Sequence, residues 1–170
     1  MDAHMRTLFL ISILLVSATT SRADDNVRTT RPLPKFTLQS VDDTKLSSTN
    51  FTGKTMIIWF FASWDKPCRQ QLPALLELQK EYGTNDFTVL GVSLDSKGPV
   101  GVKKFAIENS ITFPIAMADL EFIQNCGSLT AVPTMLIIEP HGQIINRYVG
   151  ITERAVLEID IKALLNISKD

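Results

Sequence analysis

Apolar positions in this chain fall into two kinds of run. The first kind is continuous: Met56-Ile57-Ile58-Trp59-Phe60-Phe61, Phe87-Thr88-Val89-Leu90-Gly91-Val92-Ser93-Leu94 and Thr134-Met135-Leu136-Ile137-Ile138. These runs are short and rich in β-branched and aromatic residues. They predict strands covered on both faces, because a strand with one wet face alternates instead. The second kind recurs at helical spacing. Leu72, Leu75, Leu76 and Tyr82 stripe a helix that begins near Lys66 and is capped by Gly83. Val100 to Glu108 predicts a second helix, and Leu120 to Cys126 a short third, with Cys126 at its cap before Gly127. A last helix, capped by Thr152, runs to about Asn166 with Leu157, Ile161, Leu164 and Leu165 inward.

Weaker signals fill the gaps. Phe36-Thr37-Leu38 alternates like a short edge strand, and Lys45-Leu46 can pair with it after the Asp42-Asp43-Thr44 turn. Phe113 to Met117 returns to the sheet. Gln143 to Val149 pairs with Thr134 to Ile138 around the turn Glu139-Pro140-His141-Gly142. The order βαβα, hairpin, helix predicts an α/β fold. Its central sheet is mixed and flanked by helices on both faces, with an N-terminal β extension. One domain is expected over residues 35–170.

The N-terminus has a different pattern. Arg6 precedes the apolar run Leu8 to Val16, and small or polar residues follow to Ser21-Arg22-Ala23. That predicts a secretory signal peptide over 1–23, cleaved after Ala23. The alternative is an uncleaved anchor, although the run is short for a membrane span. Residues 24–34 are polar with two prolines and read as a flexible leader. An exported protein, in the periplasm, is the expectation. Asn50-Phe51-Thr52 and Asn166-Ile167-Ser168 match the glycosylation pattern, which matters only in a eukaryotic secretory route.

Charge and cysteine content narrow the function. Loss of Asp2, Arg6 and Arg22 takes the formal charge from −1 to −2. That gives no electrostatic reason to expect nucleic acid or, after cleavage, a membrane as partner. Two cysteines, Cys68 and Cys126, are no disulfide framework, and export implies an oxidising compartment. A bridge between them would close a long loop, but their separation in sequence says nothing of their distance in space. One histidine, His141, remains after cleavage, so metal binding and other cofactors are not expected.

The chemistry concentrates at Trp64-Asp65-Lys66-Pro67-Cys68, where the first long strand gives way to the first long helix. Asp65 is a favoured N-cap residue whose carboxylate suits the positive end of a helix, and Pro67 fits the first turn. For Cys68 the influences conflict. The helix N-terminus, Lys66 and Arg69 favour a thiolate. Asp65 and partial burial oppose it.

On these residues the chain resembles the TlpA/ResA family of exported thioredoxin-like proteins. Phe51-Thr52-Gly53-Lys54, Phe61-Ala62-Ser63-Trp64, Cys68-Arg69-Gln70-Gln71-Leu72-Pro73, Asn109 to Pro114 and Ala131-Val132-Pro133-Thr134 match its signatures in order. The resemblance implies a thioredoxin-like fold. It also implies a cis proline at Pro133 facing the active-site helix, and a backbone edge at Val132 that pairs with an extended peptide. The family motif is Trp-Cys-x-Pro-Cys, in which the residue matching Asp65 attacks and the one matching Cys68 resolves. A carboxylate cannot replace the attacking sulfur. A second departure is Gln71, which stands where the family often has a proton-transferring glutamate and cannot titrate.

Three functions follow as expectations. The first is single-thiol exchange with protein thiols or disulfides through Cys68, with Cys126 as a possible second thiol. The second is a redox-inactive assembly or chaperone-like module that binds an extended peptide beside Trp64, Asp65, Lys66, Pro67, Val132 and Pro133. The third is a peroxidase, since Asp65-Lys66-Pro67-Cys68 resembles the peroxiredoxin Thr-x-x-Cys layout with Asp for Thr. The peroxiredoxin arginine is missing, however, and Val132-Pro133 occupies its region.

Overall fold

Alternation along strands that look uniformly apolar decides how the chain packs. The computed structural model describes residues 27–83 and 86–166. Within them, β4 (Thr55–Phe61) has every side chain buried. Ile57, Trp59 and Phe61 face one core, while Met56, Ile58 and Phe60 face another. A buried side chain of this size contributes about 1.5–3 kcal/mol, so a strand covered on both faces is mostly apolar, with Thr55 the one buried polar residue of β4.

Six strands form the main sheet, in the order β1-β8-β7-β4-β5-β6. They are β1 (Val27–Pro32), β4, β5 (Phe87–Ser93), β6 (Ile115–Met117), β7 (Thr134–Ile138) and β8 (Gln143–Val149). β4, β5 and β6 run parallel, whereas β7 is antiparallel to β4 and β8 to β7, so the sheet is mixed. The first core is covered by α1 (Lys66–Tyr82), α2 (Pro99–Glu108) and α4 (Arg154–Leu164), through residues such as Leu75, Phe105 and Ile161. The second is covered by α3 (Leu120–Asn125) through Phe122 and by the hairpin of β2 (Thr37–Gln39) and β3 (Lys45–Ser47) through Leu38. A 3-10 turn, Ser48–Phe51, links that hairpin to β4, and Asn50 spends its side chain there on a capping box with Ser47.

Three expectations change. Val27–Pro32, expected within a flexible leader, forms β1 and pairs antiparallel with β8. The segment carries no apolar alternation, because an edge strand draws on the unpaired backbone of its neighbour. Thr152 does not cap α4: the N-cap is Glu153, without a side-chain hydrogen bond, and the helix ends at Leu164. Finally, Cys68 and Cys126 are both free and sit in the separate cores on opposite faces of the sheet, so Cys126 is no second thiol for Cys68. Cys126 does form the C-cap of α3. The expected signal peptide, its cleavage site and most of the second glycosylation pattern lie outside the described residues.

Polar contacts fix α4 against α1. Arg154 pairs with Glu158 at 2.8 Å and with Glu77 at 3.3 Å, and Tyr82 donates to Glu158. The Tyr82 hydrogen bond is the main influence holding the Glu158 carboxyl below its ordinary range. This clamp sets where the chain before α4 lies, and that segment reaches the candidate site.

Candidate functional site

The site forms where β4 ends and α1 begins, because backbone donors at a helix N-terminus need partners from outside the helix. Asp65 supplies one. It sits at the N-cap in extended conformation, and its carboxylate accepts from Cys68 N–H at 2.9 Å. Its C=O accepts from Arg69 N–H at 3.2 Å, which starts the helical ladder. Pro67 occupies the first turn, where its missing N–H costs nothing. Asp65 is therefore a working helix cap.

Cys68 points the other way from solvent. Its exposure is 0%, within the core that also holds Leu72 and Trp59. Burial pushes its thiol up to about 12; a hydrogen bond from the Ala62 backbone pulls the other way, and Asp65 and Asp95 add to the rise. The neutral thiol therefore prevails at physiological pH. Lys66 and Arg69 do not reverse this. Lys66 is exposed, and Arg69 donates to Ser63 C=O at 2.8 Å and stands over the Phe105 ring at 5.1 Å. Beside the closed thiol, Trp64 is 73% exposed.

Gln71 has a structural task. It is 1% exposed and clasps the backbone of Thr152: its Nε2 donates to Thr152 C=O at 3.1 Å, and its Oε1 accepts from Thr152 N–H at 2.7 Å. An amide satisfies both groups at any pH, whereas a carboxyl does so only while protonated. A carboxylate would face the carbonyl with no proton to give. We expect Gln71→Glu to match wild type in urea denaturation near pH 4 and to lose about 1–3 kcal/mol by pH 7. The sign follows from linkage: the buried acid has a raised folded pKa. Stability is thus present below the unfolded value and lost as pH rises through the folded one. A variant equally stable at both pH values would refute this reading of the clasp.

The Val132–Pro133 peptide bond is cis. Pro133 is buried, and its C=O accepts from Gly150 N–H at 2.8 Å. Val132 is half-buried against the core that holds Cys68, and among the described residues its own N–H and C=O have no backbone partner. Ile151, next to Gly150, is 55% exposed. Trp64, Val132 and Ile151 thus present apolar surface at this end of the sheet.

The sequence reading missed Asp95. It follows β5 and accepts from Ser63 N–H at 2.9 Å, Ser63 Oγ at 2.7 Å and Ser93 Oγ at 2.7 Å. This ties the loop carrying Trp64 to the neighbouring strand. The only sequence signal was an acidic residue just past the C-terminal end of a buried parallel strand. Cys126, on the far face, is buried, and its thiol is likewise pushed up to about 12. Among the described residues no cluster of His, Cys, Asp and Glu could hold a metal ion.

Comparison with known proteins places this geometry. The Redoxin family model matches residues 28–164. Thioredoxin-like protein YneN of Bacillus subtilis is 32% identical over 142 residues, 82% of this chain and 82% of that protein. The thiol-disulfide oxidoreductase ResA of Oceanobacillus iheyensis is 27% identical, covering 81% of this chain and 74% of its own. The crystal structure of a thiol:disulfide interchange protein from Chlorobium tepidum TLS superimposes with a TM-score of 0.73 at 30% identity. It covers 81% of this chain and 97% of that one. The fold, the ordered signatures and these matches agree: the chain belongs to the Redoxin family, among its TlpA/ResA-type thioredoxin-like members.

Proposed function

We propose that this protein is an exported, redox-silent member of its family that holds an extended segment of a partner protein in the groove beside Trp64, Val132 and Pro133. One observation carries the reading. The single thiol at the site is fully buried and protonated, while the tryptophan beside it is 73% exposed. Exchange needs an accessible thiolate, whereas docking needs an accessible aromatic anchor and free backbone groups. Export to the periplasm fits the N-terminal pattern. The same buried thiol argues against the peroxidase reading, which also needs a thiolate.

A test uses alkylated insulin B chain, an extended peptide without a free thiol. Wild type and Cys68→Ser should bind it equally, and Trp64→Ala should bind at least about tenfold more weakly. Turnover of disulfide-bonded insulin by wild type, lost in Cys68→Ser, would overturn the proposal. That result would establish the second reading, single-thiol exchange through Cys68. Similarity to the thiol-disulfide oxidoreductase ResA and the Ala62 hydrogen bond to the sulfur favour this alternative.

A further inference from the structure

A cleft of about 530 Å³ opens at the other end of the sheet. It adjoins the first residues of β4 and the β7–β8 turn. Trp64 follows the last residues of β4, a strand length or about 20 Å away. Leu33, Phe51, Met56 and Ile138 line the cleft and belong to the core on the face opposite Cys68. Its volume lies within the range of about 300–1,000 Å³ usual for small-molecule sites.

The charges around this apolar lining are unbalanced. Lys35, Lys54 and His141 line the cleft, and Glu139 is the one carboxylate among the lining residues. Among the described residues, neither lysine forms an ion pair, nor does His141. The whole chain has a formal charge of −1, so this local excess of cations does not simply follow its composition. The walls are also held in place. Leu33 N–H donates to Gly142 C=O at 2.8 Å, and Gly53 N–H donates to Pro140 C=O at 3.2 Å. Gly53 and Gly142 adopt φ of +80° and +77°, with open space where a Cβ would stand. Glycine at these two turns leaves the wall low while tolerating a backbone that other residues resist.

We propose that this cleft is a binding site for a small organic anion with an apolar body, such as a medium-chain or aromatic carboxylate. The body would lie on Leu33 and the edge of Phe51, and the anionic head would meet Lys35 and Lys54. Cations facing an apolar floor select that combination: the floor gains from excluding water, and the lysines recover the head group's lost hydration.

The test titrates the full chain with sodium octanoate, octanol and sodium acetate, followed by amide NMR. Octanoate should give saturable shifts at Phe51, Lys54 and Ile138. Octanol, which lacks the charge, and acetate, which lacks the body, should each bind at least about tenfold more weakly. The Lys35→Gln/Lys54→Gln variant should weaken octanoate by about tenfold and leave octanol unchanged. Both substitutions are at surface positions, and an unchanged amide spectrum without ligand would confirm folding. Three outcomes would overturn the proposal. They are equal binding of octanol and octanoate, shifts that map to Trp64 instead, and no saturation by about 10 mM.

Discussion

Asp65→Cys is expected to turn this protein into an insulin reductase, at least about a hundredfold above a wild type that stays at background. The new thiol would sit at the N-cap of α1, where helix N-termini lower cysteine pKa values to about 3.5–7.5. It would attack the insulin disulfide, releasing one insulin thiolate and leaving a mixed disulfide. Cys68 would then attack the introduced sulfur, forming the intramolecular disulfide and freeing the second insulin thiol. A dithiol reductant returns the protein to its starting state. The substitution also removes Asp65, whose hydrogen bond and charge both add to the rise of the Cys68 thiol. Both steps therefore benefit. The cost is one helix cap, about 1 kcal/mol. Should the variant stay at background while folding normally, the groove rather than the missing sulfur would be what separates this chain from its active relatives.

Cys68 in the native protein should resist iodoacetamide at pH 8 roughly 10³-fold or more relative to the unfolded chain. An ordinary cysteine, with pKa about 8.5, is about one-quarter thiolate at that pH. With the thiol pushed up to about 12, the thiolate fraction falls to about 10⁻⁴. Complete burial adds a barrier of access. The same shift has a consequence for stability. The folded pKa lies above the unfolded one, so stability is whole below about pH 8.5 and is lost as pH rises toward 12. Cys126 contributes in the same sense, since burial raises its thiol as well. Mass spectrometry of alkylated peptides after native and denatured labelling reads the rate at each cysteine. Rapid native labelling at Cys68 would remove the physical basis for a redox-silent site and restore single-thiol exchange as the better reading.

Much of the fold could be read from the chain because its signals are local. The runs at 56–61, 87–94 and 134–138 announced strands covered on both faces, and the stripe from Leu72 to Tyr82 announced α1. The matched signatures pointed to the candidate site as well. β1 was not legible, because its partner is more than a hundred residues away, as in the pairing of Val27 with Arg147, and its own residues carry no apolar alternation. Asp95 was missed for a related reason: its hydrogen bonds to Ser63 reach across 32 residues. Gln71 showed its inability to titrate but not its task, since Thr152 lies 81 residues downstream.

The sequence alone determined which atoms are available at the candidate site: one sulfur at Cys68, a carboxylate at Asp65 and an amide at Gln71. Side-chain chemistry is a property of the residue and needs no fold to state it. Tertiary structure decided what those atoms can do. The sequence left Cys68 between a helix N-terminus that favours its thiolate and a neighbour that opposes it. Packing beneath β4 removed the water that a thiolate needs, and so pushes the Cys68 thiol up. The sheet likewise separated the two cysteines by placing them on opposite faces, a division that their spacing along the chain could not express.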